Sequence, residues 1–100
     1  MPRSAGRPPD PFDPLDGAVT AVLDLHGMNA TEARAAVTGF VQRAPRGALL
    51  HVITGKGRNS PAAPVLRNTV RALLRSGTMP RVKSWGVDDN EGGFLLRLIS

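Results

Sequence analysis

One short stretch, residues 23–27 (Leu-Asp-Leu-His-Gly), constrains this chain more than any other part of it. Residues 21–26 alternate with the two-residue period of a β-strand, so Asp24 and His26 share one face. At a rise of ~3.3 Å per residue, their Cα atoms lie about 6.6 Å apart. Gly27 then lets the chain leave the strand without a Cβ in the way. The pattern predicts a carboxylate and an imidazole side by side at a strand end.

The residues after Gly27 change to helical spacing. Asn29 and Glu32 have the spacing of a capping box, and apolar residues recur at helical intervals as far as Ala44, which predicts a helix over 30–44. The apolar run 48–53 predicts a buried strand, with His51 as a residue of a sheet face.

The rest of the chain predicts one more helix and a hairpin. Pro64 fits the first turn of the helix and Gly77 its end. The runs 81–87 and 94–99 read as strands, and the short polar connection between them predicts an antiparallel pair.

The resulting order is βαβαββ, which predicts an α/β fold of the α+β type, a two-layer sandwich. Right-handed crossovers give parallel neighbouring strands, so we expect a mixed four-stranded sheet with two helices on one face and the other face partly open. Residues 1–20 read as a flexible Pro/Asp-rich N-terminal arm, held near Phe12 to Leu15. Residues 21–100 form the domain.

Charge and composition narrow the class of protein. Residues 21–100 carry 11 Lys and Arg against 5 Asp and Glu, an excess of six positive charges (11 − 5) that favours a polyanionic partner, most simply nucleic acid. The absence of cysteine excludes disulfides and thiolate zinc sites. No signal peptide or long apolar run is present, so we expect a cytoplasmic, soluble monomer without a membrane partner.

The loop 54–57 (Thr-Gly-Lys-Gly) admits several kinds of chemistry. It is not a nucleotide-binding P-loop, because Leu50 stands where that motif needs glycine and Gly57 where it needs Ser or Thr. A metal site held by protein ligands alone lacks a third ligand at suitable spacing, although a cation such as Mg²⁺ on Asp24 and substrate phosphates stays open. Ser60 and Ser84 are candidates for the nucleophile of a Ser-His-Asp arrangement, but neither lies in the strained strand-to-helix turn that such a nucleophile occupies.

Phosphodiester chemistry gives every one of these residues a role. His26 exchanges a proton near neutral pH, and Asp24 orients it or stabilises its charged form. Lys56 and the amides of 55–57 hold phosphate and stabilise developing charge. The alternative is that His26 only donates a hydrogen bond to the neighbouring loop.

Basic residues elsewhere offer phosphate contacts. Arg67, Arg71 and Arg75 fall at i, i+4 and i+8 on the second helix, although a solvated helix face explains the spacing equally well. Trp85 has the same strand parity as Arg81 and Lys83, so the three side chains are expected on the open sheet face, where they would form a platform for base stacking and phosphate contacts. The alternative is that Trp85 packs in the core.

Residues 23–27 and 53–57 (Ile-Thr-Gly-Lys-Gly) together resemble the Smr domain, the small MutS-related module, and the resemblance spans about residues 20–100. A third hallmark, a glycine-rich entry to the last strand, is altered. Gly92 and Gly93 remain, but Leu95 replaces a later glycine and Asp88 stands in place of a small alanine. We expect the leucine side chain to obstruct a substrate backbone at that turn.

The resemblance implies a fold similar to the C-terminal domain of translation initiation factor three. It also implies a structure-dependent endonuclease that nicks DNA or cleaves RNA. A non-catalytic module that binds structured DNA or RNA is the first alternative, and a protein-interaction domain that uses the open sheet face is the second. For the endonuclease, the predicted catalytic residues are Asp24, His26 and Lys56. The predicted phosphate contacts are Thr54, Gly55, Gly57, Arg58, Arg67, Arg71, Lys83, Gly92 and Gly93.

Overall fold

The computed structural model describes residues 13–55, 63–88 and 92–100. Its elements follow the predicted order, with bounds β1 (Ala21–Asp24), α1 (Ala30–Arg43), β2 (Leu49–Ile53), α2 (Ala63–Arg75), β3 (Val82–Asp88) and β4 (Gly93–Leu98). The strands form one mixed sheet with both helices on one face, which confirms the predicted fold class. The likeness to the initiation factor domain stays a prediction, as does the division into an arm and a domain.

The core lies between the helices and the sheet. Each helix buries residues three or four positions apart, and β2 and β4 bury alternate residues against them, as the two periods require. The helices contribute Ala33, Val37, Val41, Leu66, Val70 and Leu74, and the two strands contribute Leu50, Val52, Phe94, Leu96 and Leu98. β1 adds only partly buried side chains and lies at the sheet edge.

The strand order is β1-β2-β4-β3, which corrects one prediction. β1 and β2 are parallel neighbours as expected, but β4 lies antiparallel between β2 and β3, so the second crossover does not join neighbouring strands. The reason is burial: β4 is apolar on both faces, and a strand of this kind gains most from a central position. β3, which is more exposed, takes the edge.

Side chains satisfy backbone groups at both ends of α1. At its start, Asn29 and Glu32 form the predicted capping box, with N–H···O distances of 2.8 and 3.0 Å. At its end, the Arg81 guanidinium donates to the carbonyl oxygens of Val41, Gln42 and Ala44. Arg81 therefore holds the C-terminus of α1 and is not part of a sheet-face platform.

Residues 13–17 lie on the sheet face away from the helices. Arg97 of β4 donates to the carbonyl oxygens of Pro14 and Asp16 at 2.8 Å each, and to that of Gly47 at 2.7 Å. A Cβ at Gly86 would lie 2.7 Å from the Leu15 side chain, so that side chain sits directly over β3. This face is therefore partly covered, which agrees with the predicted partly open face. Phe12, also expected to hold the arm, lies outside the described residues.

Candidate functional site

Parallel pairing brings the ends of β1 and β2 to one edge of the sheet. Asp24 pairs with Ile53 in the register, and the Leu25 amide continues the ladder with a 2.9 Å hydrogen bond to the Ile53 carbonyl. The segments that follow the two strands, 25–28 and 54–55, therefore leave the sheet at the same edge. The carboxyl ends of parallel strands are where open α/β sheets bind ligands. We call this edge, with Asp24 and these two segments, the carboxyl edge.

β1 ends at Asp24, so His26 lies in a turn and not in the strand as predicted. The turn is closed by a 3.0 Å hydrogen bond from the Met28 amide to the Leu25 carbonyl, and Gly27 has φ +85°, as the third position of a type II turn requires. Leu25 is fully buried while His26 is exposed. A buried anchor thus presents an accessible imidazole.

Asp24 acts on the backbone of this turn. Its Oδ1 accepts a hydrogen bond of 3.0 Å from the His26 amide, and no hydrogen bond joins the two side chains. An Asp that binds an amide two residues ahead fixes the local turn. In this structure Asp24 therefore positions the main chain of His26, which is a different contact from the expected pairing of carboxylate and ring.

Thr54 and Gly55 make their hydrogen bonds to the other glycine-containing turn. Both of their amides and the Thr54 hydroxyl donate to the carbonyl oxygen of Gly92, at 3.0, 3.1 and 2.8 Å. Thr54 is fully buried. These hydrogen bonds hold the end of β2 to the turn before β4. The three donors are therefore engaged within the protein in this conformation and are not directed to a phosphate site. Lys56, Gly57 and Arg58, which complete the predicted loop, lie outside the described residues.

Gly93 is required for space. A Cβ there would lie 2.0 Å from the carbonyl oxygen of Val52, where no side chain fits. Leu95, expected to obstruct the turn, is only 2% exposed and lies opposite His51 and Gly86 inside the sheet. A side chain so deeply buried adds no obstruction at the surface, so that expectation is wrong in this conformation.

The predicted basic residues divide into two groups. The Arg71 guanidinium lies 5.9 Å from the centroid of the Phe94 ring, close to the carboxyl edge, and Arg67 is one helical turn nearer the start of α2. Lys83 lies near the beginning of β3, five residues before Asp88, which pairs with Gly93 at that edge. At a rise of ~3.3 Å per residue it is about 16 Å away along the strand.

Trp85 does not form the predicted platform. A register shift between Val82 and Ser84 changes the alternation of β3, and Trp85 packs towards the helices, with its ring centroid 6.0 Å from that of Phe94. Its alternative role in core packing is the one observed. With Arg81 bound to α1, only Lys83 of the three remains exposed.

Sequence reasoning missed one buried polar pair. His51 Nε2 lies 3.4 Å from Asp88 Oδ2 on the sheet face away from the helices, and both residues are buried. The two residues belong to strands that β4 separates, so no local pattern announces the contact. Asp88, noted above as a departure from the Smr pattern, thus has a partner inside the protein.

Within the described residues, no three His, Asp or Glu side chains cluster as they would around a metal ion. Asp24 together with phosphate oxygens of a substrate is the arrangement that stays open for Mg²⁺. No helix in the described part of the chain has the length and apolar character needed to cross a membrane.

Comparison with known proteins identifies the family of the chain. No curated protein matches the chain. The family model described as Smr domain matches residues 23–94, a range that runs from the first residue of the Leu-Asp-Leu-His-Gly stretch, across both helices, to the start of β4. The chain therefore belongs to the Smr domain family, a family of nuclease-like and nucleic-acid-binding modules.

Proposed function

We propose that this Smr domain is a nucleic-acid endonuclease in which His26 transfers the proton during phosphodiester cleavage. The observation that carries the proposal is the exposed imidazole at the carboxyl edge, on a backbone held by Asp24 and by buried Leu25. A catalytic acid or base must be accessible and held in place at once. Histidine is the side chain that exchanges protons most readily near neutral pH.

The reaction follows from that placement. The attacking oxygen, from water or from the 2′-hydroxyl of RNA, loses its proton to the neutral imidazole as it bonds to phosphorus. The bond from phosphorus to the leaving oxygen breaks, and the leaving oxygen takes up a proton from the imidazolium or from solvent. Lys56 is the residue we assign to the negative charge that develops on the phosphate oxygens. Asp24 is a positioning residue in this scheme.

A matched pair of variants tests this proposal. His26→Ala and Gln42→Ala would be purified identically and incubated with supercoiled plasmid, branched DNA and structured RNA, with Mg²⁺ or with EDTA. Gln42 is exposed at the far end of α1, so it controls for contaminating nucleases without touching the carboxyl edge. We expect His26→Ala to lower the cleavage rate at least about 100-fold, the lower range for a general acid or base, and Gln42→Ala to match wild type. Equal rates in the two variants contradict the proposal.

A non-catalytic binding module is the second candidate, and one observation favours it. The Thr54 hydroxyl and the Gly55 amide, expected to hold phosphate, both donate to Gly92 instead. The negative charge that develops on the phosphate oxygens would then be stabilised by fewer hydrogen-bond donors than the sequence predicted. This candidate predicts no cleavage above the level of His26→Ala, together with affinity for nucleic acid that falls steeply with salt.

A further inference from the structure

The two helices differ in charge near the carboxyl edge. The first turn of α1 carries the exposed carboxylate of Glu32. This carboxylate accepts a 3.0 Å hydrogen bond from the amide of Asn29, which lies three residues after His26. α2 has no acidic residue, and its polar side includes Arg67, Arg71 and Arg75. On α1 the exposed Arg34 follows Glu32 by two residues, so the charge there is mixed, whereas on α2 it is positive only. A polyanion that reaches His26 is therefore attracted more strongly on the α2 side.

The three arginines form a continuous stripe. Positions four residues apart lie on one flank of a helix and advance about 6 Å along its axis, so the stripe is about 12 Å long. Its register is given by the contact of Arg71 with the ring of Phe94, the second residue of β4. Arg67 lies between this point and the start of α2, and Arg75 lies at the end of the helix. The stripe from Arg67 to Arg75 therefore leads away from the carboxyl edge.

The guanidinium groups of Arg67, Arg71 and Arg75 are not paired with any carboxylate in the part of the chain that the structure describes. Arg81 and Arg97, by contrast, are fully engaged with backbone carbonyls. The Phe94 ring limits the freedom of the central one, because a cation over an aromatic face is attracted to it. A fixed guanidinium loses less entropy when it binds a phosphate.

We propose that this arginine stripe is a track for the sugar-phosphate backbone of one nucleic-acid strand, running from the carboxyl edge along α2. The inference rests on the proposed nucleic-acid function and adds its direction. Arginine pairs with phosphate through two parallel hydrogen bonds. Phe94 is fully buried and Trp85 packs against the core, so the described residues of this flank offer contacts to phosphates and none to stack bases. Phosphate is common to DNA and RNA, so the ligand class is one sugar-phosphate strand of either.

A salt titration tests the track. The triple variant Arg67→Gln/Arg71→Gln/Arg75→Gln is compared with a control triple of the same charge, Arg34→Gln/Arg43→Gln/Arg46→Gln, taken from exposed positions on α1 and the loop after it. All proteins also carry His26→Ala to prevent cleavage. Affinity for fluorescein-labelled single-stranded DNA, and for RNA of the same sequence, is measured by anisotropy over a range of KCl concentrations.

We expect the stripe triple to reduce the slope of log K against log salt by about 2, since each phosphate contact to a single strand contributes about 0.7. At 0.1 M salt this corresponds to roughly 10- to 100-fold weaker binding. The control triple keeps the slope within about 0.7 of the parent protein, less than one contact. Equal losses in both triples would mean that only net charge matters, and that result overturns the track. Failure of the parent protein to bind either strand overturns it too.

Two further comparisons keep the result decisive. If the triple fails to fold, Arg67→Gln/Arg75→Gln leaves the Arg71–Phe94 contact intact and should reduce the slope by about 1.4. Cleavage by proteins with His26 intact separates the two proposals. A stripe variant that cleaves and binds as wild type removes the track and leaves the endonuclease. A stripe-dependent affinity without any cleavage retains the track and removes the endonuclease.

Discussion

Two glycines near the carboxyl edge, Gly27 and Gly93, are required for different reasons. Gly27, in the turn after β1, has φ +85°, and a Cβ there would meet nothing within 4 Å. Gly93, at the start of β4, has no unusual φ, but a Cβ would lie 2.0 Å from a backbone oxygen. The first is a requirement of conformation and the second a requirement of space. Sequence alone shows the same residue type in both.

The contacts of the turns at these two positions also differ. The turn around Gly27 is fixed by Asp24 and by one amide-carbonyl bond, and it keeps His26 at the surface. The turn at Gly92 gathers three donors on one carbonyl and joins the two central strands. The first turn therefore exposes the His26 side chain, and the second holds β2 and β4 together.

The largest effect should come from Gly93→Ala. The new methyl group would collide with the Val52 carbonyl, which cannot move without breaking the pairing of β2 and β4. We expect a loss of more than about 3 kcal/mol in the free energy of unfolding, the upper end for overpacking, measured by chemical denaturation with fluorescence of the single tryptophan.

Gly86→Ala is the matched control for this prediction. Its new Cβ would lie 2.7 Å from the end of the Leu15 side chain, which can rotate away. We expect a loss of less than about 1 kcal/mol, typical of a substitution without a buried backbone clash. Similar stability of the two variants would show that the space argument for Gly93 is wrong.

Gly27→Ala should have a smaller effect on stability. The methyl group has room, so the cost is that of a left-handed backbone with a Cβ, about 1–2 kcal/mol. Gly27→Asn is the control, because asparagine tolerates this conformation better and should recover part of the loss. Denaturation curves measure both. An alanine variant as stable as wild type would show that the turn can adopt another backbone.

Thr54→Val should have the smallest effect. It removes the hydroxyl donor to Gly92 and preserves the shape of the buried side chain, while two amides continue to donate to the same oxygen. We expect a loss of about 1 kcal/mol, the net value of a neutral hydrogen bond. Thr54→Ser, which keeps the hydroxyl, isolates that contribution. If the valine variant is the more stable of the two, packing and not the hydrogen bond holds the junction.

The features predicted correctly are those that neighbouring residues determine. Helical spacing and the Asn29–Glu32 pair located α1, and the apolar run 48–53 located β2. The position of β4 between β2 and β3 could not be read locally, because it depends on which strand buries both faces once all four are present. The register shift after Val82 is a further feature that strand parity alone conceals, and it moved Trp85 to the helix face.

The candidate site shows the same division. The sequence predicted that Asp24, His26 and the loop after β2 would act together, and the parallel pairing of β1 and β2 places Asp24, His26 and residues 54–55 at one edge. It could not show that Asp24 binds the His26 backbone, or that Thr54 and Gly55 would donate to Gly92. These contacts depend on turn geometry and on a residue about 40 positions later in the chain, which motif spacing does not encode.

The contact of Arg97 with residues 13–17 has a consequence for the order of folding. Its bonds to Pro14 and Asp16 span 83 and 81 residues of chain, and such long loops are slow to close. The segment is synthesised before every strand of the sheet, yet its anchor is made after α1, α2 and β3. A nascent chain therefore cannot form these bonds until β4 has been synthesised, so the first described segment of the chain gains its hydrogen bonds to the sheet from the last strand.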